Sequence, residues 1–177
     1  MLRRKLNFLI LYDVELLQLT YGAILTNHEL KECVMSNKHI AKQSISINAP
    51  TSRVWDALTN PVMIKKYLFG TDAVSDWKVG SPITYKGVWE GKAYEDKGKV
   101  LAVVPQRLLE STYWSSMSGI SDIPENYKKV RYELKPASGS TTLIITQDNN
   151  ATEEEKNHSE KNWEMVLQNL KGLLENQ

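Results

Sequence analysis

Apolar and polar residues alternate with a period of two through much of the chain after Gln43, and the pattern changes to a helical period near the C-terminus. The segments "SISIN", "YKKVRYELK" and "STTLIITQD" show the alternation that is typical of antiparallel strands with one buried face. Within residues 152–175, large apolar side chains recur at helical steps, namely Trp163, Val166, Leu167, Leu170 and Leu174. This spacing predicts one long amphipathic helix whose apolar stripe is covered by a sheet.

Two short helices interrupt the strands after the first one. In "APTSRVWDALTNPVMIKKYLF", Pro50 and Thr51 open one helix, and the sequence at 59–61 closes it and caps the next, with proline at a first-turn position. The final helix begins with Thr152 and Glu155, which form a capping-box pattern. The predicted order is a strand, two short helices, about six further strands and a long C-terminal helix, which is an α+β arrangement.

The segment "PITYKGVW" places Ile83, Tyr85 and Trp89 on one face of a strand. Gly87 interrupts that strand, and an isolated glycine there indicates a bulge or a bend. The following segment, "WEGKAYEDKGK", carries acidic residues among lysines. We interpret it as a solvated hairpin tip that includes Asp96.

The length of 177 residues, with 41% hydrophobic and 24% charged residues, is typical of one globular domain. Met35 opens "MSNKHIAKQSISINAP", which resembles a natural start followed directly by the first strand. The segment "MLRRKLNFLILY" begins like a secretory signal, but Asp13 and Glu15 follow early and no small-residue cleavage site is present. We therefore expect residues 1–40 to be an N-terminal extension outside the fold and residues 41–177 to form the domain.

Charge and cysteine content narrow the class of protein. The formal net charge is +1, and lysine and arginine are interleaved with acidic residues, so the basic stripe of a nucleic-acid-binding protein is absent. Cys33 is the sole cysteine and cannot form an intramolecular disulfide, which favours a cytoplasmic setting. No apolar run approaches the roughly 18 residues of a membrane span. Neither a nucleic-acid partner nor a membrane span is expected.

The predicted element order resembles the helix-grip fold of the START-like and birch-pollen-allergen-like (SRPBCC) superfamily. A closer resemblance covers residues 42–175 and lies in "INAPTSRVWDALTNPVMIKKYLFG", "DWKVGSPITYKG", "YEDKGKVLAVVPQRLLESTYW" and "NWEMVLQNLKGLLE". In these segments the chain is similar to the family of the C-terminal domain of activators of the heat-shock protein 90 ATPase. The resemblance implies a curved antiparallel sheet of about six or seven strands wrapped on the C-terminal helix, often with a hollow interior, and a link to chaperones and stress response.

Residues for catalysis or metal binding are sparse. Of the three histidines, His28 and His39 lie in or beside the predicted extension, and His158 is expected to point to solvent because it lies about 140° from Trp163 around the helix. No histidine, cysteine or carboxylate pair has ligand spacing on one face, and no glycine-rich phosphate loop is present. The sequence therefore predicts no catalytic residue, no metal and no cofactor.

One carboxylate and a set of aromatic rings are the candidates for a ligand site. Glu110 shares a strand face with Leu108, Thr112 and Trp114, so it is either a buried acid or a rim residue. Five tryptophans and eight tyrosines accompany only two phenylalanines, and such rings can line a cavity and also orient a ligand by hydrogen bonds. They either fill a solid core or line a partly open cavity. The candidate cavity residues are Trp55, Tyr67, Phe69, Tyr85, Trp89, Glu110, Tyr113, Trp114, Tyr132, Ser159, Trp163 and Leu167.

Three functions are consistent with these patterns. The favoured one is non-catalytic binding of an apolar or amphipathic small molecule between the sheet and the C-terminal helix. The second is a protein-binding module that stimulates the heat-shock protein 90 ATPase, as the resemblance implies. The third is a hydrolase or cyclase that uses cavity acids such as Glu110 and tyrosines.

Overall fold

The computed structural model describes residues 39–176, so the predicted extension at residues 1–40 lies outside the described residues except for His39 and Ile40. The elements follow the predicted order and form an α+β helix-grip fold. They are β1 (Ala41–Ile47), α1 (Thr51–Thr59), α2 (Pro61–Tyr67), β2 (Asp72–Val74), β3 (Pro82–Trp89), β4 (Lys92–Val104), β5 (Leu108–Tyr113), a 3₁₀ turn (Pro124–Asn126), β6 (Lys128–Ala137), β7 (Ser140–Gln147) and α3 (Glu153–Glu175).

All seven strands belong to one antiparallel sheet with the order β1-β7-β6-β5-β4-β3-β2. The first strand of the domain pairs with the last, so that Ala41 lies opposite Gln147. The pairing of β4 with β5 shifts by one residue between Val100 and Ala102, and such a bulge bends a strand and increases its twist. The sheet curls around α3, which lies against β1 and α2.

Gly87 does not produce the bulge or bend that the sequence indicated. The β3–β4 register is regular along its whole length, and Gly87 lies directly opposite Tyr94. A Cβ atom at Gly87 would lie 2.5 Å from the Tyr94 hydroxyl. Glycine is therefore needed here because the tyrosine ring crosses over the neighbouring strand, not because the strand bends.

The core forms where the apolar stripe of α3 meets the sheet. Val166, Leu167, Leu170 and Leu174 are each at most 8% exposed, and they share one buried cluster with β1, β6, β7 and the two short helices. The helical spacing of these residues therefore predicted the buried face correctly. No helix within residues 39–176 is long and apolar enough to span a bilayer.

The helix starts use the caps that the sequence indicates. The Asn60 side chain accepts a hydrogen bond from the backbone N–H of Val62 at 3.0 Å, and Thr152 Oγ1 accepts one from the Glu155 N–H at 3.1 Å. The Glu155 carboxylate accepts from the N–H of Ala151 rather than from that of Thr152. In a capping box the glutamate side chain normally accepts from the N–H of the N-cap residue, whereas at α3 it accepts from the N–H of the residue before the N-cap.

Candidate functional site

A cavity of about 620 Å³ lies between the inner face of the sheet and α3, with α2 and the following loop contributing to its wall. Its volume falls within the range of small-molecule sites, which is about 300–1,000 Å³. The interior therefore contains open space beside the solid core. Nine of the twelve candidate residues line it, namely Tyr67, Phe69, Tyr85, Trp89, Tyr113, Tyr132, Ser159, Trp163 and Leu167.

Glu110 lies outside the cavity lining, on the opposite face of β5. The inner face of this strand carries Leu109 and Ser111, which are 3% and 5% exposed, so alternation turns Glu110 outward. There its carboxylate accepts a hydrogen bond from Arg131, with 3.2 Å between Nη1 and Oε2. Arg131 also donates to Glu133. The alternative that made Glu110 a buried acid in the cavity is thereby corrected.

Trp55 and Trp114 also lie outside the lining. Trp55 is partly buried and packs against two apolar clusters, so it fills space in α1 instead of facing the open volume. The indole N–H of Trp114 donates to the carbonyl of Ile120 at 3.2 Å, and Lys97 lies 5.7 Å from its ring centroid. Trp114 therefore anchors the loop that follows β5.

Four tyrosines form a cluster on the cavity wall, and we call Tyr67, Tyr85, Tyr113 and Tyr132 the tyrosine cluster. The rings of Tyr85 and Tyr113 meet edge-on with centroids 6.4 Å apart. Burial raises the pKa of all four hydroxyls well above their ordinary value of 10.0, because a phenolate would lose its hydration in the cavity. The four hydroxyls therefore stay protonated at neutral pH.

Asp96 belongs to the wall and was assigned wrongly to a solvated hairpin tip. It is 7% exposed, and its Oδ2 accepts a hydrogen bond from the Tyr113 hydroxyl at 2.7 Å. Its Oδ1 accepts from the Ser115 hydroxyl and from both the N–H and the hydroxyl of Ser116, at 2.9–3.1 Å. The period of two that continues from Val100 back to Asp96 and Tyr94 is the signal that could have identified this inward position.

Trp77 is a second residue that sequence reasoning missed. It lines the cavity with a backbone φ of 53°, which is uncommon for a large residue. Its indole N–H is buried and has no hydrogen-bond partner in the described part of the chain. A buried donor without an acceptor costs free energy, and this one lies in the wall of a cavity.

A polar network ties the start of α3 to the end of β7. Gln147 donates to Asn150 and to Ser159, at 3.1 and 2.9 Å, and accepts from the indole N–H of Trp163 at 3.1 Å. The Trp163 ring also meets Tyr132 edge-on, with centroids 5.9 Å apart. Ser159 thus lies at the cavity, as its position near the Trp163 stripe indicated, but its hydroxyl is used within this network.

The mouth of the cavity carries exposed apolar side chains, which we call the apolar rim: Phe69, Trp89, Met117 and Met165. They are 46–49% exposed. Phe69 and Trp89 contact each other edge-on at 5.7 Å. His158 is exposed beside them, consistent with its predicted solvent-facing position. Apolar side chains gathered at an opening are more informative than the same residues scattered singly over a surface.

Charged residues contribute little to the cavity lining. The lining includes Lys128, whose ammonium contacts the Glu155 carboxylate at 2.5 Å and donates to the carbonyl of Asn149 and the side chain of Asn150. Within residues 39–176, no group of three or more histidine, cysteine or acidic side chains is arranged to hold a metal ion. The site therefore consists of an apolar and hydroxyl-bearing cavity whose two carboxylates, Asp96 and Glu155, are both hydrogen-bonded within the protein.

Comparison with known proteins assigns the domain to a family. The family model described as "Activator of Hsp90 ATPase homolog 1-like protein" matches residues 48–175, which is well over half of the chain. The chain belongs to this family. The matched region contains both short helices, β2–β7 and α3, and therefore every element that borders the cavity.

Solved structures share the fold of this chain. The solution structure of ChR145 from Cytophaga hutchinsonii is 49% identical, and the match covers 78% of this chain and 95% of that one with a TM-score of 0.70. The Aha1 dimer from Colwellia psychrerythraea is 22% identical, with coverage of 77% and 96% and a TM-score of 0.60. Ara h 8.0201 is 12% identical, with coverage of 78% and 99% and a TM-score of 0.62. The last two show a shared fold only, and no curated protein sequence matches the chain significantly.

Proposed function

We propose that this protein binds an apolar or amphipathic small molecule in the cavity between the sheet and α3, without catalysing a reaction, and that it does so in the cytoplasm. The observation that carries the proposal is the cavity of about 620 Å³, which is large enough for a ligand of several fused rings. Folds of this type commonly enclose ligands. The apolar rim gives such a molecule an apolar entrance.

The form of the wall supports binding over chemistry. Asp96 is the carboxylate deepest in the lining, and four donors already occupy its oxygens. A general base needs a free lone pair directed at its substrate. The tyrosines hold their protons tightly because burial raises their pKa values, so they serve as hydrogen-bond donors to a bound molecule.

The test is native mass spectrometry of the protein purified gently from its own cells, together with titration of the neutral dye Nile red. We expect a reproducible added mass that is released on denaturation. Ser111→Trp should remove it, because Ser111 is directed into the cavity from β5 and the larger side chain fills the ligand's space. Lys135→Trp is the matched control, because Lys135 is exposed on the outer face of β6.

The outcome for the two tryptophan variants decides the matter. Loss of the added mass and of dye binding in Ser111→Trp, with both retained in Lys135→Trp, supports the proposal. Equal dye binding by all three proteins shows that the cavity is not the binding site. A wild-type protein with no added mass and no affinity for the dye contradicts the proposal altogether.

A second candidate function is a chaperone co-factor that stimulates an Hsp90 ATPase during stress, which is favoured by the family match and by the exposed apolar rim. Purified Hsp90 from the same cells would show a raised ATPase rate when this protein is added. The stimulation should survive Ser111→Trp, because cavity filling leaves the surface unchanged, and should fall when Phe69 and Trp89 are both changed to alanine. An unchanged ATPase rate with the wild-type protein excludes this function.

A further inference from the structure

The cavity wall indicates the chemical class of its ligand. We infer that the ligand is an uncharged, mainly apolar molecule that carries carbonyl-type acceptor oxygens, and that the hydroxyls of Tyr67, Tyr85 and Tyr132 hold it. This inference rests on the proposed function. It adds to that proposal that the ligand accepts hydrogen bonds from the wall and that the ligand carries no charge. Both properties can be tested with matched probes.

The wall carries hydrogen-bond donors that are not used by the protein. Among residues 39–176, the hydroxyls of Tyr67, Tyr85 and Tyr132 have no hydrogen-bond partner, whereas the Tyr113 hydroxyl donates to Asp96. Tyr67 is 6% exposed, but none of the three hydroxyls is fully enclosed by protein atoms, so they open onto the cavity. Hydroxyls inside a fold are normally paired with protein groups, water or a ligand, and three that face one cavity without a protein partner are available to a bound molecule.

A further unpaired group of the wall can only donate. The indole N–H of Trp77 has no partner within the described residues, although it is enclosed by the wall and does not open onto the cavity. The strongest acceptors of the wall are occupied, since Asp96 accepts four hydrogen bonds and the Gln147 side-chain oxygen accepts from Trp163. The groups that stay unpaired include the three tyrosine hydroxyls, the Ser111 hydroxyl and the Asn162 amide, and all of them can donate, which suits ketone, ester or lactone oxygens on the ligand.

The charges of the lining disfavour an anionic ligand. Lys128 is held by Glu155 and by Asn149 and Asn150, and His158 lies exposed at the mouth. A carboxylate ligand placed deep in the cavity would meet no free cation in the described lining and would lie near the Asp96 carboxylate. Burying such a charge without a partner is costly, so the wall selects neutral molecules.

Three related probes separate these requirements. Anthracene and anthraquinone share one three-ring frame and differ in two carbonyl oxygens, and an anthraquinone carboxylate adds a negative charge. Binding is measured by quenching of tryptophan fluorescence, since Trp77, Trp89 and Trp163 line the cavity. We expect anthraquinone to bind at least about tenfold more tightly than anthracene, because each hydrogen bond contributes roughly two- to tenfold in affinity. The carboxylate should bind more weakly than anthraquinone.

Tyrosine variants assign the effect to the hydroxyls. Tyr67→Phe, Tyr85→Phe and Tyr132→Phe should each weaken anthraquinone binding about two- to tenfold and leave anthracene binding unchanged. The triple variant should remove the difference between the two probes. Tyr127→Phe is the matched control, because the Tyr127 hydroxyl donates to Asp122 outside the cavity. The three cavity variants should fold, because each removes a hydroxyl that has no partner within the described residues.

The outcomes distinguish this inference from the proposed function. Preference for anthraquinone that disappears in the triple variant supports the inference. Equal binding of anthraquinone and anthracene, or tighter binding of the carboxylate, overturns it while the proposed binding function stands. Failure of all three probes to quench fluorescence, together with no Nile red binding, overturns both.

Discussion

The polar network at the start of α3 gives a prediction that can be worked out atom by atom. Gln147 is 5% exposed, and its amide makes three hydrogen bonds, two donated and one accepted. In Gln147→Leu, Ser159 still donates to Asn150, and Asn150 still accepts from Lys128. Trp163 loses its acceptor, so the main cost is one unpaired indole N–H.

The expected loss of stability is about 1–3 kcal/mol, the usual cost of leaving a buried donor without an acceptor. Burial of the leucine side chain offsets only a small part, because leucine and glutamine have similar volumes. In a Trp163→Phe background the N–H is absent, so Gln147→Leu should cost less than about 0.5 kcal/mol. The coupling free energy of the double-mutant cycle should therefore be about 1 kcal/mol or more.

The free energies of unfolding are measured by urea denaturation followed by far-ultraviolet circular dichroism. Thr146→Val provides the control, because Thr146 is the preceding residue of β7 and faces the opposite side of the sheet. It should change stability by no more than about 0.5 kcal/mol. If the stability costs of Gln147→Leu and Trp163→Phe are additive, the reasoning is refuted. The stability lost in Gln147→Leu would then not come from the Trp163–Gln147 hydrogen bond.

Three further predictions concern the tyrosine cluster, two glycines and the N-terminal segment. Because burial raises the pKa of the four hydroxyls in the tyrosine cluster, the unfolded state releases protons above pH 10 that the folded state keeps. The free energy of unfolding should therefore fall above pH 10 by about 1.4 kcal/mol per pH unit for each tyrosine. Absorbance at alkaline pH should show these hydroxyls ionising only when the protein unfolds. Ionisation of every tyrosine before unfolding would contradict this. Gly98→Ala should destabilise by about 1–3 kcal/mol in urea, because its Cβ would lie 2.1 Å from the Thr112 carbonyl oxygen, whereas Gly172→Ala, with its nearest atom at 3.9 Å, should be neutral or stabilising. Equal effects would show that the contact at Gly98 is relieved without cost. A chain that starts at Met35 should keep the melting temperature of the full chain, and a large decrease would show that residues 1–34 belong to the fold.

The periodic parts of the sequence predicted the fold well, for a physical reason. The helical spacing of Val166, Leu167 and Leu170 and the alternation along β6 and β7 reflect burial of one face, and burial is what fixes the packing of helix on sheet. The caps at Asn60 and Thr152 depend on neighbouring residues only, so they too could be predicted from the sequence.

The site was predicted less completely because it depends on contacts between distant segments. Asp96 is inward because its carboxylate finds donors on the loop after β5, and a charged residue among lysines carries no sign of such partners. For Glu110, the alternation along β5 did not show which face of the strand is the inner one. The structure shows that Leu109 is buried on the inner face, so Glu110 lies on the outer face. Gly87 was interpreted as a bend because the sequence does not reveal which ring lies across the next strand.

The pairing of β1 with β7 has a consequence for how the protein is made. Ala41 lies opposite Gln147, so the first strand of the domain finds its partner only after about one hundred further residues have been synthesised. During synthesis, the backbone of β1 therefore stays unpaired while β2 to β6 emerge from the ribosome and pair with their neighbours in sequence. Since α3 lies against β1, the interior closes last, when the C-terminal helix leaves the exit tunnel. A chain stalled before β7 would present an open strand edge and an uncovered apolar face, which are the features that trigger nascent-chain chaperones and aggregation.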